Sequence, residues 1–518
     1  MDAGKIQILI TMALYMAAVI VIGIYFAKRS NQSSEDYFLG GRTLGPWVSA
    51  MSAEASDMSG WLLMGLPGVA YWYGLADAAW TAIGLAIGTY LNWLVVSRRL
   101  RRYSEIAGNA ITLPEFFSNR FKEDKKVLMT IAAAFILIFF TVYAASCFVT
   151  FGKLFSTIFD TPYIPMMILG AIFVLIYTLV GGFLAESYSD FMQGVVMVGA
   201  LLAVFIVGTA ATGGLAAVME NSKSIPGFLE FFGMANPTME NGQQAVLNSK
   251  PVFGEALPYG FITIISTMAW GLGYFGMPHV LLRFMAIRRA KDLTLSRRVA
   301  VVWVVVALAS AVFIGIVGRA LYPTAFGTYS ASENIFILIS TNNFIPIFAG
   351  LVMAGILAAT ISSSDSYLLI ASSSLSKNIY QRMFKTNASD KEIMWVSRIT
   401  LLLIAIIAIV IALDENSIIF TIVSFAWAGF GATFGPLMLF SLFWKRINRA
   451  GAIAGMLGGG GMVFFWKLVI RPLGGAWNIY ELLPAFIFSC LMIAAVSLLT
   501  APPSSELQKE FEQVKAAE

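Results

Sequence analysis

The sequence predicts an all-α protein that crosses a membrane many times. Three observations point there. The chain of 518 residues is 58% hydrophobic and only 12% charged, which is too apolar for soluble domains. Its apolar runs repeatedly reach the roughly 20 residues that a helix needs to cross the hydrocarbon core. Its basic residues gather in short segments between alternate runs. The net charge of +5 therefore does not imply a nucleic-acid partner. Cys147 and Cys490 both lie inside apolar runs, so no disulfide framework is expected.

Taken in order, thirteen spans are expected near 6–27, 44–73, 76–97, 127–155, 162–181, 190–212, 257–280, 298–320, 344–376, 395–413, 417–444, 450–470 and 481–500. The first run is too long for a signal-peptide core, and Lys28 and Arg29 follow it whereas only Lys5 precedes it, so it reads as a retained span. With the N-terminus outside and the C-terminus inside, 27 of the 34 Lys and Arg residues fall on the cytoplasmic side. That pattern suits a multi-pass protein of the cell inner (cytoplasmic) membrane. The outer segment near 213–256 is expected to be irregular, and SSELQKEFEQVKAAE to be a short polar helix or disordered.

The second span carries the most unusual chemistry. SAMSAEASDMSGWLLMGLPGVAYWYG places Glu54, Asp57, Ser56, Ser59, Gly60, Gly65, Pro67 and Gly68 inside an apolar run. A carboxylate at mid-membrane costs about 2.5–3.5 kcal/mol on insertion scales. Gly and Pro free backbone carbonyls, which is tolerated only where protein or a cavity satisfies them. The combination predicts a discontinuous helix lining an ion and substrate site.

The seventh span, FITIISTMAWGLGYFGMPHVLLRF, repeats the pattern. Gly276-Met277-Pro278 matches Gly65-Leu66-Pro67, which predicts breaks at corresponding places in two halves. Five spans per half give an inverted repeat of spans 2–6 and 7–11, with spans 1, 12 and 13 added outside it. The corresponding segments are 1–43 (first span and loop), 44–212 (first repeat), 213–256 (outer loop), 257–444 (second repeat), 445–500 (spans 12 and 13) and 501–518 (tail). Trp270 and Tyr274 lie one turn apart at the second break and carry donors that need partners. His279 is the one histidine of the chain and reads as structural.

The ninth span contains AATISSSDSYLL. The hydroxyls of Ser362 and Ser363, the carbonyl near Ala359, and carbonyls near Ala55 and Met58 of the broken span would make five oxygen ligands. That shell suits a sodium ion, a hard cation. Asp365 and Ser366 lie a turn closer to the cytoplasm, where Asp190 can meet them as a second ion or release site.

ASDMSGWLLMGLPG, WGLGYFGMPH, SFAWAGFGATFGP and DYFLGGRTLGPW resemble the sodium/solute symporter family, and within it the bacterial sodium/proline symporters, from about residue 6 to 505. The resemblance implies a LeuT-type 5+5 inverted repeat working by alternating access. It implies a sodium site at positions matching Ala55, Met58, Ala359, Ser362 and Ser363. Positions matching Asp57 and Ser59 would govern sodium and substrate affinity, and those matching Tyr143, Trp270, Tyr274 and Pro278 would belong to a proline pocket. Gly60 and Trp61, inside the MSGW of the first break, complete the expected substrate-binding set. Asp190 matches an aspartate tied to sodium release, and 365 and 366 match two serines of sialic acid carriers. The chain departs from the family with Asp at 365 and with Glu54 where a proline symporter carries glycine.

The expected function is thus sodium-coupled uptake of L-proline, with sodium bridging spans 2 and 9 and the solute held between spans 2 and 7. The same scaffold carrying pantothenate, sialic acid or another organic anion is the alternative, and a membrane sensor or channel a remote one. No Arg or Lys sits in the middle of spans 2, 4, 7 or 9, which favours a small zwitterion. Neither a hydrolytic triad nor metal-ligand spacing appears, so no enzyme activity is expected, and no obligatory protein partner is evident.

Overall fold

A computed structural model describes residues 2–30, 33–180 and 182–516. The side chains of Lys28 and Arg29 and the expected end of the fifth span at 181 lie outside the described residues, as do the last two residues of the tail. The main helices are α1 (Ala3–Ser30), α2 (Pro46–Asp57), α3 (Leu66–Tyr73), α4 (Leu75–Leu91), α5 (Val127–Phe159), α6 (Tyr163–Val180), α7 (Phe183–Ala211), α8 (Phe261–Met268), α9 (Pro278–Ala286), α10 (Leu293–Leu321), α11 (Pro346–Ser373), α12 (Asp390–Ile411), α13 (Ile419–Phe443), α14 (Arg449–Phe465), α15 (Leu482–Leu499) and α16 (Ser505–Ala516). Among the described residues, 10 helices are long and apolar enough to cross a membrane, which makes this a helical polytopic membrane protein.

Two segments break as the sequence predicts, but not in the same register. α2 ends at Asp57 because Met58 takes ψ 75, and the chain resumes helically through a π-turn at Trp61–Gly65 that runs straight into α3. Gly65-Leu66-Pro67 therefore lies after the first break, not in it. The second break is longer: a 3₁₀ stretch, Ala269–Gly276, then an extended Met277, then α9 with Pro278 in its first turn, where a missing N–H costs nothing. Close approach decides part of the packing here. A Cβ on Gly88 of α4 would stand 2.3 Å from the Gly271 carbonyl oxygen, so only glycine lets α4 touch the unwound segment.

The sixth span starts earlier than expected. α7 begins at Phe183, so Asp190 is two turns inside a helix and buried, not at its mouth. The segment expected to be irregular, near 213–256, instead carries three two-stranded antiparallel pairs, among them Gly233–Met234 with Leu257–Pro258 just past its end. The tail is helical: Leu507, Phe511 and Val514 of α16 are buried, and Lys445 and Lys122 pair with Glu512 and Glu510 at 2.9 and 2.7 Å.

Candidate functional site

The carbonyl freed at the end of α2 is satisfied by tertiary neighbours. Asp57 O accepts from Ser59 N at 3.1 Å, from the Trp61 indole at 3.2 Å and from the Tyr143 hydroxyl of α5 at 3.4 Å. This holds the unwound Met58–Gly60 against α5. A Cβ on Gly60 would lie 2.2 Å from Thr150 Oγ1, so that approach needs glycine.

The Asp57 side chain is fully buried. Its Oδ2 accepts from the Tyr274 hydroxyl at 2.7 Å and its Oδ1 lies 3.3 Å from His279 Nε2. Both broken segments thus meet on one carboxylate. Trp270 sits just above, with ring centroids 5.0 Å from Phe420, 5.2 Å from Tyr480 and 6.2 Å from Trp61, and its carbonyl accepts from the Trp427 indole at 2.7 Å. Tyr143 packs on Tyr367 of α11 with centroids 4.2 Å apart. Ser59 Oγ is buried with no hydrogen-bond partner among the described residues.

The oxygen atoms expected to hold sodium converge in part. Ser362 Oγ lies 2.7 Å from Ala55 O and 3.2 Å from Ala359 O, and Ser363 Oγ lies 3.5 Å from Ala55 O. The hydroxyls donate to those carbonyls. A cation would let the same lone pairs point inward, and oxygens alone make a donor set for a hard ion. Met58 caps α2, its N–H donating to Glu54 O at 2.9 Å.

Below this lies a network the sequence does not announce. Arg283 of α9 is fully buried. It donates to Ser52 Oγ at 2.9 Å, Asp190 Oδ2 at 3.2 Å, Ser366 Oγ at 2.9 Å and the His279 carbonyl at 3.2 Å, and it pairs with Glu186. Ser52 in turn donates to Asp190 at 2.7 Å. Asp190 and Ser366 are therefore joined through Arg283 and not directly. Asp365 accepts from the Ser366 N–H at 2.8 Å, and its other oxygen is buried without a partner among the described residues. On the opposite side Lys153 of α5 and Glu333 form a buried pair at 2.7 Å, and Glu333 also accepts from Ile419 N and Phe420 N at the start of α13.

Sequence reasoning missed His279, Arg283, Glu186 and Ser52 as parts of this assembly. The available signal is spacing: His279 and Arg283, like Glu186 and Asp190, are four apart and share one helical face. Glu54 is buried beside Asp57 on the same helix. One oxygen accepts from Trp93 Nε1 at 3.0 Å and so ties α2 to the segment following α4.

Comparison with known proteins agrees with this architecture. The family model for the sodium:solute symporter family matches residues 37–459. A protein of Haemophilus influenzae named sodium/proline symporter is 43% identical over 98% of both chains. A Bacillus subtilis protein named high-affinity proline transporter PutP is 42% identical over 95% of this chain and 98% of its own. The fold is similar to that of a Na+-coupled sialic acid symporter solved in a substrate-bound outward-open state, with a TM-score of 0.76 at 18% identity over 96% of this chain and 99% of the other. The chain belongs to the sodium:solute symporter family.

Proposed function

We propose that this protein takes up L-proline together with sodium across the cytoplasmic membrane by alternating access. The near-full-length likeness to proline transporters supports the solute. The observation that carries the mechanism is the meeting of the broken segments and α11: Asp57 with Tyr274, and Ala55 O with the Ser362 and Ser363 hydroxyls. Sodium, as co-substrate, is assigned to Ala55, Met58, Ala359, Ser362 and Ser363. The solute is assigned to the unwound Asp57–Trp61 with Tyr143, Trp270, Tyr274 and Pro278, and Asp190, Asp365 and Ser366 to the release path.

Coupling follows from that sharing. The break that presents Asp57 to the solute also presents the Ala55 carbonyl to the ion, so filling one site orders the other. A membrane potential of 100 mV adds about 2.3 kcal/mol for each charge carried inward. The Lys153–Glu333 pair and the Arg283 network are the two closures that must open in turn. Arg283 already faces Glu186 and Asp190, so its charge offers an organic-anion substrate no unmatched partner.

The 10 long helices, the shorter apolar helices Tyr163–Leu179 and Phe261–Gly276, and the broken α2–α3 segment supply the thirteen spans we propose. They divide as spans 2–6 and 7–11 of an inverted repeat, over the segment boundaries given above, with the N-terminus outside and the C-terminus in the cytoplasm. The test is uptake of labelled proline into proteoliposomes with and without an inward sodium gradient. Accumulation that needs sodium and resists competition by pantothenate or sialic acid supports the proposal; uptake indifferent to sodium, or outcompeted by those anions, refutes it.

A further inference from the structure

Where α2, α7 and α10 pack together they leave an open apolar groove of about 400 Å³ on the perimeter of the protein. Trp47 and Met51 of α2, Val198 of α7, and Val302 and Val306 of α10 line it, with Arg298 at one end. Its walls are fixed. Ser296 Oγ donates to Pro46 O at 2.9 Å, joining the starts of α10 and α2, and the Trp303 indole donates to Gly194 O at 2.9 Å, joining α10 to α7. Val302 is 65% exposed and Trp47 54%. These faces are turned outward, and no described residue covers them.

We propose that this groove binds one anionic phospholipid of the leaflet on the Arg-rich side. Three arguments select that occupant. From Leu295 to Val306 the groove follows α10 for about 16 Å, roughly half the 30 Å hydrocarbon thickness, which is the depth of a single leaflet. Its lining is apolar at that depth, so an acyl chain and not water fills it. Its charge lies only at the head end: Arg298 is exposed and, among the described residues, has neither an ion pair nor a hydrogen bond. Its neighbours Arg288 and Arg289 are matched by Asp292, and Arg297 lies over the Tyr90 ring. An unmatched guanidinium beside an interfacial Trp suits a lipid phosphate. The bound chain would lean on Met51, one turn from the Ala55 carbonyl, so the occupant touches the half-helix that carries the proposed ion ligand.

The test uses the purified full chain in detergent micelles, titrated with dioleoylphosphatidylglycerol or dioleoylphosphatidylcholine and read by native mass spectrometry. The wild type should retain one phosphatidylglycerol roughly fivefold more tightly than phosphatidylcholine, as expected for about 1 kcal/mol per basic residue near an anionic lipid. R298Q should equalise the two lipids, R298K should restore the preference, and V302W, which fills the groove, should lose this retained lipid of either kind. Circular dichroism spectra unchanged from the wild type establish that each variant is folded. Equal retention of both lipids by the wild type, a preference that survives R298Q, or a lipid that survives V302W would overturn the proposal. So would a groove covered by a second copy of the chain, seen as a wild-type dimer that V302W splits.

Discussion

Replacing Arg283 with Met tests the buried network most sharply. Arg283 touches α2 through Ser52, α7 through Glu186 and Asp190, and α11 through Ser366, with no exposure to solvent. Removing the guanidinium leaves two carboxylates buried without their counter-charge. Breaking such a pair costs about 3–5 kcal/mol, because the remaining charge keeps its desolvation penalty. Neutralising the acids as well should recover most of that loss, since an uncharged core of similar volume is often as stable as the intact network. The assay is unfolding by sodium dodecyl sulfate in mixed micelles, followed by tryptophan fluorescence, for Arg283→Met alone and combined with Glu186→Gln and Asp190→Asn. The single variant should lose several kcal/mol and the triple variant should lie well above it. A single variant within about 0.5 kcal/mol of wild type, the range of an ordinary surface change, would refute the burial argument. So would a triple variant less stable than the single.

Gly60→Ala should abolish most proline binding while the protein still folds, because its Cβ would press on Thr150 Oγ1, and Thr150→Ala should rescue it in part; binding by isothermal titration measures both. Phe511→Ala should free α16 to protease far more than Lys445→Ala. The first removes a buried ring worth about 3–5 kcal/mol, the second an exposed ion pair worth about 0–1 kcal/mol, and limited proteolysis ranks them.

Composition and span length carry most of the fold in the sequence itself, because a bilayer demands closed backbone hydrogen bonding and leaves helices as the way to cross. The two breaks are legible for the same reason: Asp57 with Ser59 and Gly60, and three glycines with Pro278, have no place in an ordinary span. Their register is not. The shared Gly-x-Pro triplet marks the break at Pro278, but before Pro67 the helix has already resumed, since a Pro in a first turn is compatible with helix on its C-terminal side. Arg283 stands near the end of the seventh apolar run, where an ordinary flanking charge also stands, and its spacing from His279 does not by itself reveal burial. Only the folding of α9 back against α2, α7 and α11 buries it. The same folding puts His279 on Asp57, a contact spanning 222 positions that no local pattern encodes.

The most direct measurement is the affinity of purified protein for proline as sodium is raised, in wild type and in Ser362→Ala with Ser363→Ala. Each hydroxyl bonded to a charged partner is worth about 1.5–3 kcal/mol, so the double variant should need at least tenfold more sodium to reach the same proline affinity. Replacing sodium by choline should leave both proteins equally weak. An unchanged sodium requirement in the double variant would contradict the claim that α2 and α11 share one ion.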